Sequence, residues 1–251
     1  MKKSFLNREK PWLTLLFSPK SADSAIETIH KAISEGVEAF CIQTEALCPE
    51  DRNPETYEKI FSAMGECPVY TTNYRQNSNE NASDEQIAAG LLELAHCGAT
   101  VCDVMGDLFD PQPGEMTFDP AAVKQQEHLI DELHAAGAEV LMSCHIFQFT
   151  PAERVLEIAR HQQSRGVDIV KIVTGADTME QQLENLRITN LLKQELKVPF
   201  LFLSGGLCET HRRIGPMLGC CMYLCSLDDG VEPKPMQPML RKTKQIRDNW
   251  W

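Results

Sequence analysis

The chain has 251 residues, a formal net charge of −12 and a sequence pI of about 5.1. That length suits one barrel domain of roughly 250 residues, with a full core and no need of disulfide or metal staples. An acidic chain presents no basic stripe to phosphate backbones, and no stretch reaches the ~20 apolar residues that span a bilayer, so neither nucleic acid nor membrane is an expected partner.

From the N-terminus, Met1-Lys2-Lys3-Ser4-Phe5 leads into Asn7, Arg8, Glu9 and Lys10 instead of an apolar stretch, so it does not read as a secretory signal and a cytoplasmic setting is expected. Short apolar runs then alternate with longer amphipathic segments. Strand 12–18 precedes helix 21–35, strand 39–43 precedes helix 53–64, and strand 69–74 precedes helix 84–97. Strand 100–104 precedes helix 120–137, strand 140–144 precedes helix 151–165, and strand 169–174 precedes helix 177–195. Strands 200–204 and 221–224 precede helices 209–218 and 236–248. Helix starts are marked by Ser83 before Asp84 and Glu85, by Asp119 before Pro120, and by Thr150 before Pro151. Strands alternating one to one with helices predict a parallel sheet, and this number of them favours a closed (β/α)8 TIM barrel over an open doubly wound sheet. Two polar or turn-rich loops, 76–81 after the third strand and 110–118 after the fourth, fall on the face where such barrels keep their chemistry.

Ten cysteines would spell a disulfide framework in a short secreted chain. Here Cys41, Cys102, Cys144 and Cys221 lie in apolar runs and no C-x-x-C pair occurs, so reduced buried thiols are expected, with no metal site.

Lys171 stands in Val167-Asp168-Ile169-Val170-Lys171-Ile172-Val173, an amine in the middle of a β-branched strand. Strand alternation puts it on one face with Ile169 and Val173, so it is placed to enter the barrel lumen. Burial among apolar neighbours disfavours a charged amine and leaves a nucleophile for a carbonyl; the alternative is a lysine that snorkels or pairs with a carboxylate. His145 ends the preceding strand, near enough for both side chains to serve one substrate, and an imidazole takes and returns protons near neutral pH. Arg213, or Arg212 beside it, follows the Ser204-Gly205-Gly206-Leu207 turn and is a candidate anion clamp, as is Arg75 at the end of the third strand.

The segment Ser143-Cys144-His145-Ile146-Phe147-Gln148-Phe149-Thr150-Pro151, followed one βα unit later by Lys171, resembles the Ser-x-His-Asp-Phe-x-x-Thr-Pro segment and lysine of the type I 3-dehydroquinate dehydratases. The resemblance implies a barrel, often a homodimer, that works without metal or cofactor on a small-molecule carboxylate. It assigns imine formation to Lys171, acid–base work to His145 and carboxylate binding to Arg213, with Arg75 and Ser204 in the substrate shell. Departures fall in that shell. The family's second strand carries Glu-x-Arg-x-Asp, where this chain has Gln43-Thr44-Glu45-Ala46-Leu47, so Gln43 and Glu45 take the place of charged contacts. The carboxylate that orients the histidine aligns with Asn79, and a one-residue loop shift gives that role to Glu80. Ile146, Met105 and Pro235 occupy positions where the family has an aspartate, a glutamate and the eighth-loop glutamine. The pieces Ser204-Gly205-Gly206 and Lys171-Ile172-Val173-Thr174-Gly175 are also similar to deoxyribose-phosphate-aldolase-type barrels, which keeps a class I aldolase open, and the altered shell keeps open a non-catalytic ligand-binding descendant.

Overall fold

A computed structural model describes residues 2–6, 9–206, 209–227 and 236–250. Among these residues eight strands alternate with eight α-helices: β1 Trp12–Phe17, α1 Ala22–Ser34, β2 Ala39–Gln43, α2 Pro54–Ala63, β3 Val69–Thr72, α3 Asp84–His96, β4 Val101–Met105, α4 Pro120–Ala135, β5 Glu139–His145, α5 Ala152–Ser164, β6 Ile169–Ala176, α6 Met179–Glu195, β7 Phe200–Gly206, α7 Glu209–Leu218, β8 Met222–Cys225 and α8 Leu240–Trp250. All pairings are parallel, in the order β7-β6-β5-β4-β3-β2-β1-β8. Across the remaining seam the Cys221 amide donates to the Phe200 carbonyl at 2.9 Å, which brings the sheet nearly to closure. The result is the (β/α)8 barrel expected from the alternation.

Strands covered by helices on one side and filled by side chains on the other are apolar on both faces, which is why they read in the sequence as continuous runs. Helix starts follow local chemistry. Ser21 and Ser83 form capping boxes, and Asp119 accepts from the Ala121 and Ala122 amides ahead of Pro120. The start expected at Thr150 moves by one residue: Pro151 is the N-cap of α5, and the Thr150 hydroxyl donates to the Gln148 carbonyl at 3.1 Å.

Register sorts the side chains between lumen and helix layer. Lys171 lies beside Ser143 and Leu201, and Val173 beside His145 and Leu203, so these side chains share the inner face, while Thr174 and Ser204 pair on the outer one. Phe5 packs on Trp12 and edge-on against Tyr70, with ring centroids 5.6 and 6.5 Å away, at the barrel end where the strands begin. The opposite end, where strands run into the loops that precede helices, carries the polar residues.

Candidate active site

Four groups, from β3, the loop after it, β4 and β5, gather around Lys171. Its Nζ donates to the hydroxyls of Tyr70 and Tyr74, each at 2.8 Å, and lies 3.2 Å from Asp103 Oδ2. Both phenols also donate to Asp103 Oδ2, and the Ser143 hydroxyl donates to Oδ1 at 2.6 Å. Lys171 is 5% exposed and Asp103 1%, so the pair is dry. The apolar surroundings expected for the amine are therefore replaced by a polar nest, and the carboxylate-paired lysine left open by the sequence is the one found. The pairing is physically required, because a buried charge with no partner is among the costliest features a fold can hold. Burial first, and then the Asp103 charge, raise both phenols well above the ordinary tyrosine range, so they stay protonated and keep donating.

His145 stands one inward step above Ser143 on β5. Its ring meets Tyr74 edge-on at 5.3 Å and stacks on Phe147 at 5.8 Å, so one of the two phenols that touch the lysine also touches the imidazole. Nδ1 lies 2.6 Å from Glu115 Oε2 in the loop between β4 and α4. A ring nitrogen facing a carboxylate carries the proton, which leaves Nε2 as the basic atom. The segment after His145 is pinned to β6, with the Ile146 amide on the Val173 carbonyl at 2.8 Å and the Gly175 amide on the Gln148 carbonyl at 3.0 Å. A Cβ on Gly175 would stand 2.5 Å from the Phe147 carbonyl oxygen, so only glycine permits this approach.

The other expected site residues scatter. Glu80 is exposed, while Asn79 is buried and donates to Asn73 and to the Tyr74 carbonyl, so neither touches His145; the carboxylate there is Glu115. Arg75 does not line the lumen: its guanidinium is divided between Asp84 and Asp107, at 2.7 and 2.8 Å. Ser204 faces the helix layer, where Asn185 Nδ2 donates to it at 2.9 Å, because β7 alternation turns Leu201 and Leu203 inward instead. Glu45 is fully buried and accepts from Thr72 Oγ1 and Gln76 Nε2 at 2.9 Å each; burial raises its carboxyl above the usual range, opposed by these hydrogen bonds. Gln43 accepts from Ser18 and lines a cavity of about 810 Å³ at the mouth with Ser18, Lys20, Ser226 and Gln237.

Of the two adjacent arginines, Arg213 is exposed and lines a cavity with Lys242, Thr243 and Ile246 that adjoins the mouth cavity at Ser226, Leu227 and Gln237, whereas Arg212 is 5% exposed and donates to Gln237 Oε1 at 3.2 Å. Among the described residues Arg212 Nε is buried without a hydrogen-bond partner, and burial alone lowers this guanidinium to about 10. Pro235 lies outside the described residues, but a glutamine does follow in that loop as Gln237. Tyr70, Tyr74, Asp103, Glu115 and Gln237 were not singled out from the sequence. A signal existed for Asp103, an acid inside the apolar run Val101-Cys102-Asp103-Val104-Met105 that mirrors Lys171; none existed for Glu115, whose place depends on loop shape. Among the described residues no group of three His, Cys, Asp or Glu side chains is arranged to hold a metal ion, and no helix is long and apolar enough to cross a membrane.

Comparison with known proteins bears on the family and the fold. The family model for type I 3-dehydroquinase matches residues 18–248. A 3-dehydroquinate dehydratase of Klebsiella pneumoniae subsp. pneumoniae is 30% identical over 195 residues, covering 76% of this chain and 72% of its own. One from Methanosarcina acetivorans is 22% identical over 235 residues, 90% of each chain. The structure of type I 3-dehydroquinate dehydratase from Clostridium difficile has a TM-score of 0.81 at 15% identity, covering 97% of this chain and 93% of that one. That of 3-dehydroquinate dehydratase from Enterococcus faecalis has a TM-score of 0.77 at 19% identity, covering 97% and 95%. On a family match that runs from the end of β1 into α8, the chain belongs to the type I 3-dehydroquinase family and, with it, to the carbon–oxygen lyases.

Proposed function

We propose that the chain dehydrates 3-dehydroquinate, or a closely related hydroxy keto acid, through an imine on Lys171. The observation that carries this reading is the Lys171 amine, buried in the lumen and linked through Tyr74 to the His145 ring. The amine gives a proton to its hydrogen-bonded partners and attacks the substrate ketone, and loss of water from the adduct leaves the imine. His145 Nε2 removes a proton from the carbon next to the imine, whose nitrogen accepts the electron pair, and returns that proton to the departing hydroxyl. Hydrolysis of the imine frees Lys171, so the net change is loss of one water. Arg212, with Gln237 beside it, takes the carboxylate-binding role that the resemblance gave to Arg213, because a buried guanidinium with an unused N–H is built for an anion. Gln43 at the end of β2 offers an acceptor to substrate hydroxyls, while buried Glu45 braces the turn beyond it through Thr72 and Gln76.

Borohydride reduction in the presence of 3-dehydroquinate tests the reading: substrate mass is expected on Lys171, with none on the Lys171→Met variant. Absence of trapped mass together with absence of the conjugated ketone product refutes it, and release of an aldehyde in place of water favours the aldolase. The family reading also carries a homodimer in the cytoplasm, which light scattering of the purified chain and localisation of a tagged copy test.

A further inference from the structure

The loop between β4 and α4 is tied at both neck and rim. At the neck, the Gly106 amide donates to the Ser143 carbonyl at 2.7 Å, the Thr117 amide to the Gly106 carbonyl at 3.1 Å, and buried Arg165 donates to the carbonyls of Gly106 and Thr117. At the rim, Arg75 Nη1 donates to Asp107 Oδ1 at 2.8 Å and Nη2 to the Asp107 carbonyl at 3.0 Å, while its other edge holds Asp84. Asp84 Oδ2 in turn accepts from the Phe109 amide at 2.6 Å. From Asp107 the bonding runs on: Oδ2 accepts from the Gln112 amide at 2.8 Å, the Gln112 carbonyl accepts from the Glu115 amide at 3.0 Å, and Glu115 Oε2 meets His145 Nδ1 at 2.6 Å. Glu115 itself has φ 53°, a conformation a side-chain-bearing residue adopts only when its surroundings enforce it.

We infer that Glu115 is the positioning residue for His145, and that Arg75 is a strut of the loop presenting it, not a ligand of the substrate. The inference rests on the reading of His145 as general acid and base. A carboxylate on Nδ1 holds one tautomer and one ring orientation, so Nε2 meets the incoming substrate as a lone pair. The continuous path from Arg75 to Glu115 means that a residue on the third strand's end sets the geometry of a carboxylate in the fourth loop. No other carboxylate is bonded to the ring among the described residues, since Glu80 is exposed on its own loop. The charged and titratable groups that face this corner are Glu115 from the fourth loop, Tyr74 from the third, Lys171 and Asp103 from below, and Asp107 and Arg154, whose charges reach the neighbouring Cys144.

The test combines 15N-histidine NMR of the resting protein with steady-state kinetics. The parent shows His145 as the Nδ1–H tautomer. Glu115→Ala shows a tautomer mixture and loses roughly 10- to 100-fold in kcat with KM kept within about threefold, and Glu115→Asp recovers part of both. Glu80→Gln matches the parent in both readouts. Arg75→Met behaves as Glu115→Ala; if circular dichroism shows it unfolded, Asp84→Asn, which loosens the same loop, replaces it. The inference is overturned by a parent-like tautomer in Glu115→Ala, by the loss appearing in Glu80→Gln, or by Arg75→Met raising KM about tenfold with the tautomer unchanged. Because the NMR arm needs no substrate, it decides this inference even where the chain fails to turn over 3-dehydroquinate.

Discussion

Substituting Asp103→Asn probes the polar nest directly. The carboxylate accepts from Tyr70, Tyr74, Lys171 and Ser143, and the side chains of Asp103 and Lys171 are 0% and 6% exposed. An asparagine keeps the size and one acceptor, but turns an N–H2 group toward the lysine and leaves that amine without a counter-charge. Removing one partner of a buried pair costs about 3–5 kcal/mol, which for a domain of this size lowers Tm by roughly 6–20 °C. Lys171→Met leaves Asp103 with three hydroxyl donors and costs less. Combining the two removes both charges, so the double variant is expected to be more stable than the sum of the single losses by about 2 kcal/mol. Urea unfolding of the four proteins at pH 7 completes the cycle. A cost below about 1 kcal/mol for Asp103→Asn, or strict additivity in the double variant, refutes a buried ion pair in the lumen.

His211 supplies a pH dependence of known sign. It is fully buried, its Nε2 bonds Thr189 at 2.8 Å, and burial first, then the Arg212 charge, lower it from 6.5 to about 4. The unfolded chain therefore binds this proton more readily, so the contribution is fully present above pH 6.5 and is lost as pH falls toward 4. The gap corresponds to on the order of 3 kcal/mol, and His211→Gln is expected to flatten the stability curve across that window in denaturant titrations; parallel curves refute it. For the two arginines, Arg212→Leu is expected to raise KM roughly 10- to 100-fold, as loss of a charge-assisted hydrogen bond implies, while Arg213→Leu leaves KM within about twofold. The reverse order in steady-state kinetics refutes the assignment of the carboxylate to Arg212.

The barrel, and the placement of Lys171 and His145 on adjacent strands, were legible in the amino-acid sequence. Both are local matters: helix and strand periods, caps such as Ser83 and Asp119, and alternation along β5 and β6 are written in neighbouring residues, and adjacent strands bring Ser143 and Lys171 side by side. The partners of those two residues came from packing across the whole barrel. Tyr70 lies 101 residues from Lys171 and Asp103 lies 68 away, and Glu115 reaches His145 across 30 residues through a loop whose shape depends on Arg75 and Arg165. The direction of Arg212 against Arg213, and of Ser204 away from the lumen, likewise followed from one position of helical or strand phase. Hydrogen bonds over such separations are chosen by how the loops pack, and loop packing is the part of a barrel that local residue pattern constrains least.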